Sequence, residues 1–138
     1  MISFEIISDE KYNILSWNPI HKILKTEWNT PIDMDEELYR TVVVTHLETT
    51  EKYAPTRMLV DTQNAYYNVV PETQDWINQK FVKIVDKINL EKMAWIVSED
   101  FFAQVSFDQV MDDATEAAPF KMKHFTNNEE ALEWLLIE

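Results

Sequence analysis

The chain contains no cysteine and no glycine. Without cysteine it has no disulfide, no thiolate nucleophile and no Cys-ligated zinc or iron–sulfur centre. Average usage would place about 10 glycines in a chain of this length. Their absence removes the standard forms of the phosphate-cradling loop, the dinucleotide fingerprint and the nucleophile elbow. Each of these needs a backbone that turns tightly or approaches a ligand closely. Positive charge is also scarce: 12 Lys and Arg stand against 25 Asp and Glu, a net charge of −13. Nucleic-acid binding depends on Lys and Arg neutralising phosphates, so a nucleic-acid partner is not expected. An anionic membrane surface is disfavoured for the same reason. No apolar run approaches the roughly 20 residues that span a bilayer. The opening MISFEIISDE lacks the basic region of a signal peptide and turns acidic at once, so a cytoplasmic protein is expected.

What is present suits one domain: 138 residues, 46% apolar, with five Trp, five Tyr and seven Phe. A chain of this size buries roughly two thirds of its unfolded surface. Residues 2–7, 12–18 and 20–28 read as three strands joined by short turns, with Pro19 breaking the second from the third. In the second, Ile14 takes one face and Leu15 and Trp17 the other. Asp33 followed by Glu36 has capping-box spacing and predicts a helix carrying Leu38, Val42 and Leu47 on its apolar face. TRMLVDT (56–62) reads as a buried strand and QNAYYNVV as a loop. Pro71 then opens a helix with Ile77, Phe81, Ile84, Val85 and Ile88 at helical spacing. KMAWIVS (92–98) is a second buried strand. The next stretch is helical in part: Ser106 and Gln109 form a possible capping box, Phe107, Val110, Met111 and Ala114 a buried face, and Pro119 the stop. FKMKHF (120–125) alternates as an edge strand does. Asn127 with Glu130 caps a last helix that buries Ala131, Leu132 and Leu135.

The order βββαβαβαβα predicts an α/β fold: an antiparallel meander leading into parallel central strands with right-handed crossovers, flanked by about four helices. TRMLVDT and KMAWIVS should be adjacent, parallel and central.

The closing HFTNNEEALEWL resembles the C-terminal signature of the SpoIIAA-like group, a bacterial branch of the STAS superfamily, through Phe125, Glu129, Glu130, Ala131, Trp134 and Leu135. The helix and strand order over residues 33–138 is also similar. The resemblance implies a single STAS-like domain with a four- or five-stranded mixed sheet, a fold shared with the CRAL-TRIO lipid-binding domains. STAS domains mostly bind partner proteins, and some are switched by phosphorylation of a Ser in an Asp-Ser-Ser-Gly type motif. The corresponding NVVPETQDW has neither Ser nor Gly, and the phosphosite is not carried onto its Thr73.

Ligands of open α/β sheets gather outside the carboxyl ends of parallel strands. Here those ends are Asp61, Thr62 and Asn64, then Ser98, Glu99 and Asp100, with Tyr66, Tyr67, Phe101 and Phe102 close by in sequence. All but Asp100 are the candidate ligand-binding residues. The plainer alternative is that Asp61 and Ser98 cap loops while the aromatics cover the sheet end. His21, His46 and His124 show no metal-ligand spacing, so neither metal nor cofactor is expected, and no catalytic set stands out. The acidic run DMDEE lacks the ligand alternation of a calcium loop and suits a helix start. Three functions follow. The leading expectation, from the resemblance and the missing catalytic chemistry, is a non-catalytic domain that binds a protein partner, or itself where Trp28, Tyr66, Tyr67, Phe101 and Phe102 form a homodimer patch. The second is a carrier of a small apolar ligand or lipid. The third, an enzyme using Asp61 or Glu99 as acid or base, has least support.

Overall fold

The computed structural model describes residues 2–104 and 120–137. It is built on a six-stranded sheet in simple sequential order. Strands β1 (Glu5–Asp9), β2 (Asn13–Asn18) and β3 (Ile23–Thr30) form an antiparallel meander. Strands β4 (Arg57–Ala65), β5 (Lys92–Ile96) and β6 (Lys121–Phe125) then add in parallel to β3. Helix α1 (Glu36–Tyr53) joins β3 to β4 and α2 (Pro71–Val85) joins β4 to β5. A short α3 (Glu99–Gln104) follows β5, and α4 (Asn128–Leu136) follows β6. The two apolar runs are adjacent, parallel and interior, as their composition predicts. The sheet has the six strands of the residue-by-residue reading, not the four or five that the resemblance implies.

Pleating sorts the core into two layers. Leu24, Met58, Val60 and Met93 point toward α1 and α2, where they meet Val43, Leu47, Ile84 and Val85. Ile23, Leu59, Ala94, Ile96 and Phe125 point to the opposite face, which α4 covers with Ala131 and Leu135. Crossovers between parallel strands are right-handed. Two successive crossovers running the same way therefore set α1 and α2 side by side on one face. Leu132 is partly buried at the edge of the α4 layer. The Asn127 side chain accepts from Glu130 N at 2.9 Å, as the capping pattern predicts. Lys92 fixes the other end of α4: its Nζ donates to Trp134 O at 2.8 Å and to Ile137 O, and lies 5.0 Å from the Trp134 ring centre. A cation there suits a helix C-terminus.

Several expectations move. The cap of α1 is Asp35, which accepts from Leu38 N at 3.0 Å, not Asp33. The chain Pro31–Met34 first makes a turn, closed by Met34 N on Pro31 O at 3.2 Å, so the helix begins two residues later. Leu38 is 39% exposed and lies off the buried stripe, which runs through Val42, Val43, His46, Leu47 and Thr50. Strand β3 starts at Ile23 because Ile20 stands in the turn, 83% exposed. Strand β1 begins at Glu5, while Ile2 and Phe4 pack on the α4 layer. Gln63–Ala65, expected in a loop, extend β4. Ile88 is buried but lies beyond the end of α2. Ser106, Phe107, Gln109, Val110, Met111, Ala114 and Pro119 lie outside the described residues.

With no glycine in the chain, left-handed positions fall to other residues: Lys22 at φ 52° and Ala54 at φ 47°. Ala54 ends α1, its N–H bonded to Thr50 O at 3.0 Å. A Cβ there costs about 1–2 kcal/mol, part of which a glycine would return through its freer unfolded chain. Ala54→Gly should therefore stabilise the fold by about 0.5–1 kcal/mol, raising Tm by roughly 2–4 °C in a thermal melt. An unchanged or lower Tm would show that this cap is not strained.

Candidate functional site

The described residues leave the space between the sheet and the two crossover helices unfilled. A cavity of about 300 Å³ lies there, walled by Trp28 and Thr30 of β3, by Tyr39, Val43, His46 and Leu47 of α1, and by Met58, Val60, Thr62 and Ala65 of β4. Tyr67 and Val69 of the β4–α2 loop, Gln74, Ile77, Asn78 and Phe81 of α2, and Met93 and Trp95 of β5 complete it. The helical contribution follows from spacing: Tyr39, Val43, His46 and Leu47 fall at i, i+4, i+7 and i+8 on one stripe.

On β4 the wall depends on a bulge. Asp61 pairs with Glu27, and the next pair is Asn64 with Asn29, so β4 carries one extra residue against β3. In an undisturbed strand Thr62 and Ala65 would face opposite sides. With the extra residue both line the cavity. Thr62 is anchored by donating from Oγ1 to Ile96 O at 2.9 Å. After β4 the chain alternates again: Tyr66 is 60% exposed and Tyr67 turns inward.

One end of the site is closed by a polar knot around the Glu36 carboxylate. Tyr67 donates its hydroxyl to Oε2, and Thr73 donates to Oε1. Arg40 Nε donates to Oε1 at 3.2 Å, and Arg40 Nη2 donates to Thr73 Oγ1 at 2.8 Å. The Arg40 guanidinium also lies 5.1 Å from the Trp76 ring centre. These hydrogen bonds, from Thr73 first and then Tyr67 and Arg40, hold the Glu36 carboxyl below the usual carboxylate range. The same bond to Glu36 raises the Tyr67 hydroxyl. Tyr39 is pushed up to about 12, by burial first and then by Tyr67 and Glu36. Thr73 is fully buried within the knot.

The aromatic rings meet each other around the cavity. Tyr39 and Tyr67 are 4.8 Å apart between ring centres, Trp28 and Tyr39 6.2 Å, and Trp28 and His46 5.1 Å edge-on. His46 is only 8% exposed, and burial pushes its imidazole down to about 4, so it is neutral near pH 7. Two nitrogens of wall residues, His46 Nδ1 and Trp95 Nε1, have no hydrogen-bond partner among the described residues.

The candidates chosen from strand ends divide. Thr62 and Tyr67 line the cavity. Asp61 follows Leu59 onto the other face, and its Oδ1 accepts from Gln63 N at 3.0 Å. Asn64 and Tyr66 border an open groove near Pro31, linked by a hydrogen bond of 3.4 Å. Ser98 Oγ accepts from Phe101 N at 3.1 Å, the loop-capping role of the plainer alternative. Glu99 is exposed, and Phe101, 48% exposed, has its ring 6.3 Å from that of His124. The Phe102 side chain lies outside the described residues. Tyr39, His46, Phe81 and Trp95 belong to the site and were not among the candidates. The signal that could have found them is polar or amphipathic groups placed on otherwise apolar core stripes. Among the described residues no three of His, Asp and Glu group as a metal would require, and no helix is long and apolar enough to cross a membrane.

The buried His46 links the cavity to pH. Its folded pKa lies below the unfolded value of 6.5, so below pH 6.5 the unfolded chain binds the extra proton. The stability it contributes is complete above about pH 7 and is lost as pH falls from 6.5 toward 4. By pH 5 the loss is roughly 1–2 kcal/mol, from about 1.4 kcal/mol per unit. Denaturant unfolding of the protein and of His46→Phe at pH 7.5 and 5 measures it. The variant should lose less by that margin, keeping the smaller slope of His124, which burial also lowers. Equal losses would mean that His46 titrates normally.

No protein-family model matches the chain, and no curated protein matches it in sequence. Among solved structures it is similar to an uncharacterised protein of the DUF3478 family from Shewanella loihica PV-4, described as having a SpoIIAA-like fold. The TM-score is 0.53 at 16% identity, over 97% of this chain and 93% of that one. That likeness, with the mixed six-stranded sheet, gives this chain a SpoIIAA-like fold.

Proposed function

We propose that this SpoIIAA-like domain is a non-catalytic binding module whose aromatic cavity receives a small apolar molecule. The observation that carries the reading is the space of about 300 Å³ that the described residues leave unfilled between the sheet, α1 and α2. Protein interiors pack to crystal-like density, and an empty space of this size forfeits the contacts of every side chain around it. Its volume is at the lower limit of ordinary small-molecule sites, and its wall is apolar and aromatic with few polar groups, as such sites are.

The homodimer expectation names one aromatic patch, and its described side chains divide. Trp28 and Tyr67 turn into the cavity, whereas Tyr66 and Phe101 are exposed on separate elements. An acid or base role for Asp61 also lacks support, because its carboxylate sits across the sheet from the cavity, on the Gln63 amide.

N-phenyl-1-naphthylamine, an uncharged dye that brightens in apolar surroundings, tests the reading. It should bind with a Kd of tens of micromolar or tighter, from about 0.3–0.4 kcal/mol per non-hydrogen atom. Ala65→Phe and, separately, Val69→Phe put a ring into the space and should weaken binding at least tenfold while the circular dichroism spectrum is kept. No brightening, or equal binding by folded variants, would refute the cavity as the site.

A further inference from the structure

We propose that the guest of this cavity is an uncharged, planar aromatic compound bearing a hydroxyl or similar oxygen, and not a fatty acid or other anion. The proposal rests on the binding reading above and specifies its ligand class.

Charge decides the first part. Among the described residues the cavity wall contains no Lys, Arg, Asp or Glu. Its one titratable imidazole, His46, is neutral near pH 7. Residues 105–119, outside the described set, contain no Lys, Arg or His, so they bring no cation either. Arg40, beside the site, already bonds Glu36 and Thr73 and lies against Trp76. A carboxylate or phosphate entering this space would lose its water without gaining a counter-charge, which costs far more than apolar burial returns. The net charge of −13 repels it further at long range. A cation is no better placed, since the nearby Glu36 carboxylate is already held by three side chains.

Size and shape decide the second part. Filled to the density of a protein interior, about 300 Å³ takes on the order of 12 to 17 non-hydrogen atoms. That suits a fused two-ring compound better than a long acyl chain with its headgroup. The faces of Trp28, Tyr39, Tyr67 and Trp95 favour a flat ring by offset or edge-on stacking. The oxygen answers the amides on the α2 wall of the cavity, Gln74 and Asn78. Gln74 Nε2 donates to Asn78 Oδ1 at 3.2 Å, which leaves the Gln74 oxygen to accept and the Asn78 nitrogen to donate. A hydroxyl serves either residue, because it both donates and accepts.

An isosteric series tests the class by calorimetry: 2-naphthol, naphthalene, 2-naphthoate and 2-naphthylmethylammonium, with dodecanoate as the acyl-chain arm. At pH 7.5, 2-naphthol should bind at least tenfold more tightly than either charged analogue, and dodecanoate should not displace it. Naphthalene is the more hydrophobic of the neutral pair, so tighter binding of 2-naphthol reads out the polar contact. Between pH 7.5 and 5.5 the apparent affinity of 2-naphthoate should rise about tenfold per unit, following its neutral fraction, while that of 2-naphthol stays level. That window lies above the His46 transition near 4. Ala65→Phe should weaken 2-naphthol at least tenfold. PH-independent 2-naphthoate binding equal to that of 2-naphthol, tighter binding of the ammonium or of naphthalene, or displacement by dodecanoate would each overturn the proposal. So would absence of 2-naphthol binding while the dye still binds. Failure of both the dye and 2-naphthol would instead remove the binding reading beneath it.

Discussion

The Glu36 carboxylate is the hinge on which the arrangement of the site depends. It sits in the first turn of α1 and gathers donors from three other places: Tyr67 in the β4–α2 loop, Thr73 in the first turn of α2, and Arg40 one turn along its own helix. Crossover handedness already sends α1 and α2 to the same face of the sheet. Handedness alone does not set how their N-terminal ends stand relative to each other or to the loop between β4 and α2. The carboxylate does, because a partly buried anion is tolerated only where donors surround it. Tyr67 is thereby turned into the cavity rather than out with Tyr66, and the Tyr67–Tyr39–Trp28 sequence of rings follows from that.

A second constraint comes from the sheet. The extra residue in β4 brings Thr62 and Ala65 to the same side and lets the strand run on to Ala65. Small residues at these places leave room beneath the helices. Larger ones form the buried core elsewhere: Ile84, Val85, Ile88 and Leu90 cluster with Met58 and Met93 near the amino ends of β4 and β5. The cavity extends to the carboxyl end of β4, where open α/β sheets characteristically bind. Tryptophan use fits the same division. Trp17 rests on Tyr53 and Trp134 on Phe125, as packing residues, and Trp76 lies under Arg40. Trp28 and Trp95 are the two that line the cavity.

How far the sequence carries depends on whether the relevant signal is local. The two interior parallel strands are legible because both faces are buried, which writes an unbroken apolar run into TRMLVDT and KMAWIVS. The Asn127 cap is legible because a cap is a three-residue interaction. Asp33 and Asp35 both have that spacing to a following residue, and only the turn at Pro31–Met34, a tertiary matter, selects Asp35. The site is legible in half. The strand-end rule locates Thr62 and Tyr67, but it does not count pleats, so it also selects Asp61, which the alternation sends through the sheet to the other side. His46 and Trp95 escape because they sit on core stripes. Their role appears only when the fold brings the two, 49 residues apart in sequence, to one cavity.

The account stands on the cavity being a place that is occupied. A crystal of the protein soaked with 6-bromo-2-naphthol and measured at the bromine edge would locate the guest without reference to the chemistry argued for it. The expected result is a single strong anomalous peak between the sheet, α1 and α2, within contact distance of Trp28, Tyr67 and Trp95. Bromine only on the outer surface, or an empty cavity at saturating ligand, would contradict it.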